Sequence, residues 1–101
     1  MIKEFRVGRE TNPGRLANAI LLAFQQDEHV TLVGIGVEVV YHMTRAVIYA
    51  NQTLTDMKSN YRIWTQPDFA EADQLGTTCV VMDIRFVQEP PSAAKEENKV
   101  G

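Results

Sequence analysis

The chain has 101 residues, 45% of them hydrophobic and 23% charged, with a formal net charge of −3. That length suits one domain with a single core. The negative balance excludes a strongly basic, histone-like binder, because non-specific nucleic-acid affinity comes mainly from cations neutralising phosphates. Cys79 is the only cysteine, which rules out an intrachain disulfide and a cysteine-built zinc site.

Residues 2–7 alternate: Phe5 and Val7 suit a core, while Glu4 and Arg6 suit water, which predicts a first strand. Lys3, Glu4 and Arg6 also interrupt any signal-peptide pattern, and no apolar run reaches the roughly eighteen residues of a membrane span. A cytoplasmic location is therefore the expectation. Residues 8–12 form a polar loop. Asn12 followed by Pro13 marks a helix start, since Asn accepts from the free N–H groups of the first turn and Pro fits the first helical position. The helix runs to about residue 26 with Leu16, Ile20, Ala23 and Phe24 as its buried stripe, and Ala17 and Ala19 allow a close approach to a sheet or a second helix.

Residues 30–57 are the stretch around which the rest is organised. Val30, Leu32, Val33 and Ile35 form a short run with apolar residues of both parities, the pattern of an interior strand. Gly34 and Gly36 then turn the backbone closely into a long helix, in which Val39, Val40, Met43, Ala46, Val47, Ala50 and Leu54 recur at three- and four-residue steps. The free N–H groups at the start of such a helix can hold an anion.

Lys58, Ser59 and Asn60 break the pattern, and residues 61–66 read as a third strand. Pro67 cannot donate to a ladder, so it marks a strand end or an edge. Residues 68–76 read as a polar, acidic connection containing Phe69 and Leu75. In the fourth strand Val80, Met82, Ile84 and Phe86 alternate with Val81, Asp83 and Arg85. Pro90 and Pro91 end it, leaving residues 89–101 as a polar tail expected to be disordered after a single domain of residues 1–88. The order strand-helix-strand-helix-strand-strand predicts an α/β (α+β) fold, with two helices on one face of a four-stranded mixed sheet. Arg62, Asp83 and Arg85 are expected on the other face.

At this point the residues resemble the stage V sporulation protein S family, a bacterial branch of the Alba-like superfamily. The similarity spans residues 5–90. It begins with a strand ending in Val, a polar loop, and Asn12-Pro13 followed by Leu16-Ala17 and Ala19. Ile35-Gly36 leads nine residues later to Arg45-Ala46-Val47 and Ala50, where the family has Ile-Gly, then Lys-Ala-Val and Ala. Pro67-Asp68-Phe69 stands where the family has Pro-Ala-Phe, and residues 87–90 resemble its Val-Glu-Pro ending. The resemblance implies a two-layer Alba-like sandwich, often dimeric, and a regulatory role linked to sporulation through nucleic-acid binding. It implies contact with nucleic acid through residues 8–15, 36–45 and 67–76, where Arg9 and Arg45 replace lysines of the family. Glu10, Glu38, Asp68, Glu71 and Asp73 depart from a basic surface, as do Val37, Glu38, Val39 and Val40 from the small residues the family places after its Gly.

Arg9, Arg15 and Arg45 offer the planar forks that suit phosphate. With Asn12 and Gly36 they make up the candidate nucleic-acid site. The plainer alternative is that the arginines are solvated or paired with Glu10 and Glu38, and such pairing at the mouth of the Gly36 turn removes the main support for phosphate contact. Gly34-Ile35-Gly36 is not a dinucleotide fingerprint, because the third Gly position falls at Val39. His29 and His42 lie on different elements, with His42 read as a satisfied helix-surface residue. No catalytic constellation, metal set or cofactor motif stands out. Trp64 and Tyr61 could stack on bases if they faced the open side of the sheet, although Trp in a small domain favours the core. The leading expectation is a non-enzymatic regulatory homodimer that binds DNA or RNA modestly, without a cofactor. The alternative is a protein-interaction module of the same fold that has lost the basic surface.

Overall fold

In the computed structural model, residues 2–72 and 77–89 are described. They form β1 (Ile2–Val7), α1 (Pro13–Gln25), β2 (His29–Gly34), α2 (Val37–Asp56), β3 (Tyr61–Ala72) and β4 (Thr77–Gln88). The sheet order is β1-β2-β4-β3, with β1 parallel to β2 and the other pairs antiparallel. The parallel pair needs a crossover, which α1 supplies. This is the expected two-layer, mixed four-stranded architecture.

Strand parity explains the core. Val7 on β1, Val30 and Leu32 on β2, Met82 and Ile84 on β4 and Ile63 on β3 are buried together with Leu16, Ala17, Ile20 and Ala23 of α1 and Val39, Met43, Ala46, Ala50 and Leu54 of α2. Phe5, Val47 and Phe86 pack on the margin of this cluster. Phe24 stacks on Phe86 at 4.0 Å and meets Tyr61 edge-on at 5.1 Å, which closes the far end of α1 against the hairpin. The alternate residues, among them Thr31, Val33, Val81, Asp83 and Arg85, point to the other face, where no described element packs. The both-parity apolar run of β2 reflects its interior place between β1 and β4, although its second face is only half-buried.

Both helices stop in the same way. Glu28 N–H donates to Ala23 O at 2.9 Å and Asp27 N–H to Phe24 O at 3.0 Å; Ser59 N–H donates to Leu54 O at 2.9 Å and Lys58 N–H to Thr55 O at 3.0 Å. Each is the paired 6→1 and 5→2 ending, with Asp27 and Lys58 in the left-handed region at φ 61° and 57°.

The sequence expectations need two corrections here. β3 does not stop at residue 66: it runs through Pro67 to Ala72, in register Pro67↔Met82 and Ala72↔Thr77, so much of the expected acidic connection is strand. Pro is tolerated because β3 is an edge, where its missing N–H faces no partner strand. Trp64 is not core: register sets it opposite Arg85 on the uncovered face, 58% exposed, while Tyr61 turns under α1. The tail reading falls on residues 90–101, outside the described residues. Glu89, just before them, is held by its N–H to Asn60 O at 2.8 Å and by its carboxylate, which accepts from Trp64 Nε1 at 3.2 Å.

Candidate nucleic-acid interface

Three segments meet at one end of the sheet because β1 and β2 finish together. Val7 pairs with Gly34, after which β1 gives way to residues 8–12 and β2 to the turn leading into α2. β4 and β3 continue past that line, since Gly34 is opposite Val80 while the hairpin pairs onward through Cys79↔Ala70 to Thr77↔Ala72. The hairpin therefore projects beyond the end of β2 as an arm. Phe69, which shares the helix-side parity of Ile63, is 76% exposed there for lack of a core beneath it.

The loop after β1 is closed by its own hydrogen bonds. Gly8 N–H donates to Thr11 Oγ1 at 2.8 Å and Thr11 N–H to Gly8 O at 3.1 Å. Asn12 caps α1 as the sequence predicts, its Oδ1 accepting from Arg15 N–H at 3.1 Å, with Pro13 inside the first turn. The Asn12 oxygen is thus committed to the helix. The Arg15 side chain lies exposed on the first turn, with no ion pair among the described residues.

α2 begins differently. Gly36 occupies the cap position at φ 102° and ψ 155°, in a region essentially restricted to Gly, and no side chain caps the helix. The first intrahelical bond runs from Val40 N–H to Gly36 O at 3.0 Å, so the N–H groups of Val37, Glu38 and Val39 have no partner within the helix. Gly34 is required for a separate reason: a Cβ there would sit 2.2 Å from Val39 Cγ1 and 2.9 Å from Val7 O. The two glycines do different work, one permitting close packing and the other an unusual backbone.

In the first two turns of α2, ahead of the sequence-predicted Arg45, the electrostatics are mixed. Arg9 Nε lies 3.6 Å from Glu38 Oε2, both side chains well exposed. Such a surface pair contributes about 0.2–1 kcal/mol, which a phosphate competing for the guanidinium can replace. Glu38 also favours the positive end of the helix dipole in the first turn of α2. His42 Nε2 lies 3.3 Å from Arg9 O; the carbonyl can only accept, so this nitrogen donates. His42 Nδ1 is buried without a partner among the described residues. His42 is therefore not a plain helix-surface residue, since it ties the Arg9 loop to α2.

Arg45 lies about 13 Å further along α2 from Gly36 at 1.5 Å per residue. It donates to Tyr49 Oη at 2.5 Å and lies 5.6 Å and 5.4 Å from the ring centroids of Tyr41 and Tyr49. The Tyr49 hydroxyl, followed by the charge interaction with Tyr49, raises the guanidinium above its usual value, so the positive charge persists throughout the physiological range. The sequence carries the tyrosine clamp as Tyr41, Arg45 and Tyr49 at four-residue steps, a spacing that basic residues alone do not reveal.

The structure therefore joins Arg9 to the Gly36 end of α2 through Glu38 and His42, uses Asn12 as a cap, and holds Arg45 on tyrosines. No hydrogen bond or ion pair among the described residues links Arg9, Arg15 and Arg45 to one another. One half of the alternative acidic pairing is present, Arg9 with Glu38, and it counts against phosphate contact at Arg9; none involves Glu10 among the described residues.

Among the described residues there is no group of three or more His, Cys, Asp and Glu placed to hold a metal, and no helix long and apolar enough to cross a membrane. Fold and site together define a small two-layer α/β domain with an arm, a loop and a glycine-led helix start at one end. Residues 3–89 match the family described as Stage V sporulation protein S (SpoVS), and the chain belongs to that family. Among solved structures it is similar to Alba from Thermoplasma volcanium, with 11% sequence identity, a TM-score of 0.48, and coverage of 85% of this chain and 100% of that one. No individually curated protein matches the chain.

Proposed function

We propose that the protein is a non-enzymatic regulatory protein that binds DNA or RNA as a homodimer through the end of the sheet where Arg9, the Gly36 start of α2 and the β3–β4 arm converge. The observation that carries the reading is the uncapped start of α2. Its N–H groups and a readily released arginine stand side by side, a pairing suited to a phosphate. Membership of the sporulation protein S family supports the regulatory role. A dimer is supported by the outward stripe of α2, where Val37 is 89% exposed and Tyr41 and Ile48 are also exposed, beside a shallow groove of about 610 Å³ lined by Ile48, Asn51, Gln52, Thr55, Asp56 and Arg62. Two copies would double the local positive charge, an advantage for a chain whose net charge is −3.

A second reading has its own support. Arg9 is paired with Glu38, Arg45 is held by tyrosines, and the arm carries Asp68 and Glu71, all of which suit a protein partner better than a polyanion. The two readings separate in one experiment: binding to mixed DNA and RNA at two salt concentrations, comparing the natural chain with Arg9→Ala plus Arg45→Ala. Salt-sensitive binding lost in the double variant supports phosphate contact, each lost contact flattening the salt slope by about one unit. No binding at low salt by a folded dimer favours the protein-partner reading.

A further inference from the structure

The two edges of the sheet are finished differently. Along the start of β3 the outward backbone groups are occupied, and further on Pro67 and Phe69 present no free N–H. Tyr61 N–H donates to Ser59 Oγ at 3.1 Å, and its carbonyl accepts from Arg62 at 2.6 Å. Ile63 N–H donates to Asn51 Oδ1 at 2.7 Å while Asn51 Nδ2 donates to Ile63 O at 3.1 Å, so one side chain of α2 acts as a surrogate neighbouring strand. Pro67 has no N–H, and Phe69 N–H is taken by Asp68 Oδ1 at 2.8 Å. β1, the opposite edge, pairs only with β2, and among the described residues no hydrogen bond reaches its outer side. An edge left in that state is a template for another strand unless its side chains oppose one.

The side chains of β1 oppose most strands and accept one. If two copies of β1 pair antiparallel about a two-fold axis perpendicular to the sheet, opposite residues must share a face, so a residue lies on the axis and meets itself. Lys3, Glu4 or Arg6 on the axis would each face its own charge. With Phe5 on the axis, Glu4 lies opposite the partner's Arg6 at both ends of the pairing, Lys3 opposite the partner's Val7, and Ile2 opposite the partner's Gly8. Phe5, half-buried on the margin of the core, would meet its copy and extend the helix-side core across the junction. Glu4 and Arg6 face the uncovered side, 3.6 Å apart within one chain and with side chains 51% and 89% exposed, so both can turn to a partner.

We propose that the β1 edge is a self-association surface, joining two copies antiparallel with Phe5 on the two-fold axis and doubling the four-stranded sheet. It is distinct from the α2 stripe and does not depend on it. Where both operate, two different two-fold contacts generate an assembly larger than a pair, closed where the two axes intersect at a suitable angle and an open row where they do not.

The test is charge exchange read by sedimentation velocity over a wide concentration range, on the full chain. Both residues are exposed, so Glu4→Arg and Arg6→Glu should leave the fold unchanged by circular dichroism. Each single variant sets like charges opposite each other twice, and β1 association should weaken by about tenfold or more. The double variant exchanges the pair and should restore it. In a Cys79→Ser background, a mixture of Glu4→Cys and Arg6→Cys chains should oxidise to a mixed disulfide dimer, whereas Glu4→Cys alone should not. Ile48→Glu serves as the separate control. If it lowers the mass and the charge pattern persists, both contacts exist; if it changes nothing while the charge pattern persists, only the α2 reading fails. Association indifferent to all three charge variants, cross-linking without preference for the mixture, or no β1-dependent species at any concentration would overturn the proposal.

Discussion

α1 and α2 end in the same motif, with Asp27 and Lys58 turned to positive φ, yet they begin in opposite ways. The start of α1 is closed within five residues: Asn12 supplies the cap, Pro13 removes one donor, and nothing outside the segment is needed. The start of α2 is set by its surroundings. Gly34 is small because Val39 and the Val7 carbonyl press on it, Gly36 carries a backbone few residues accept, and the partner of the first-turn Glu38 comes from Arg9 on another loop. A locally completed helix start has spent its donors. One assembled from distant parts leaves them open, which is why we propose the phosphate contact at the start of α2 rather than at that of α1.

The comparison breaks most severely at Gly34. Gly34→Ala places a methyl group 2.2 Å from Val39 and 2.9 Å from backbone, and only the third contact, Met43 Cε, is the flexible end of a side chain. Expected destabilisation is about 3 kcal/mol by urea unfolding, at the upper end for overpacking, with α2 displaced from the sheet. Gly36→Ala separates conformation from space, since a Cβ there meets nothing within 4 Å yet φ stays at 102°. A loss of about 2 kcal/mol is expected from strain, and to the extent that the backbone relaxes to relieve it the N–H groups re-aim, so nucleic-acid binding should weaken. A loss of stability without a change in binding would show that the start of α2 is not the anion site.

Asn12→Ala addresses the other helix. It should cost about 1 kcal/mol, the ordinary value of a cap, and leave the low-salt binding slope unchanged. Asn12 stands in the candidate site by resemblance, whereas its oxygen is engaged by Arg15 N–H. A steep fall in binding at unchanged stability would restore it as a contact residue.

What the sequence discloses follows the same division. The Asn12-Pro13 start, the alternation of Met82, Ile84 and Phe86, and the stripe of Val39, Met43, Ala46, Ala50 and Leu54 are local patterns that burial obeys. The passage of β3 through Pro67 and the exposure of Trp64 depend on β3 lying at an edge, and a strand's place in the order β1-β2-β4-β3 is not written in its own residues. The Arg9 contacts with Glu38 and His42 join segments about thirty positions apart, beyond any spacing rule. Gly34 and Gly36 were legible as a turn. That one serves packing and the other dihedral freedom became visible only through what surrounds them.

The smallest expected change in stability is at Glu38, and it bears most directly on the choice between the two readings. Glu38→Gln removes the partner of Arg9 and one negative charge from the first turn of α2 while keeping the side chain's length. Stability should fall by less than about 1 kcal/mol, because the lost pair is exposed and the lost dipole interaction lies on the surface. In the nucleic-acid reading the variant gains, since Arg9 is released and like-charge repulsion of phosphate is lifted at the mouth of the free N–H groups. Low-salt affinity should rise severalfold with a steeper salt slope, and Arg9→Ala in the same chain should abolish the gain. In the protein-partner reading Glu38 is part of an intended acidic surface, and the substitution leaves nucleic-acid binding absent. Affinity that rises and then collapses with Arg9→Ala would identify Glu38 as the brake on a phosphate site; affinity that never appears would assign the open start of α2 to a different partner.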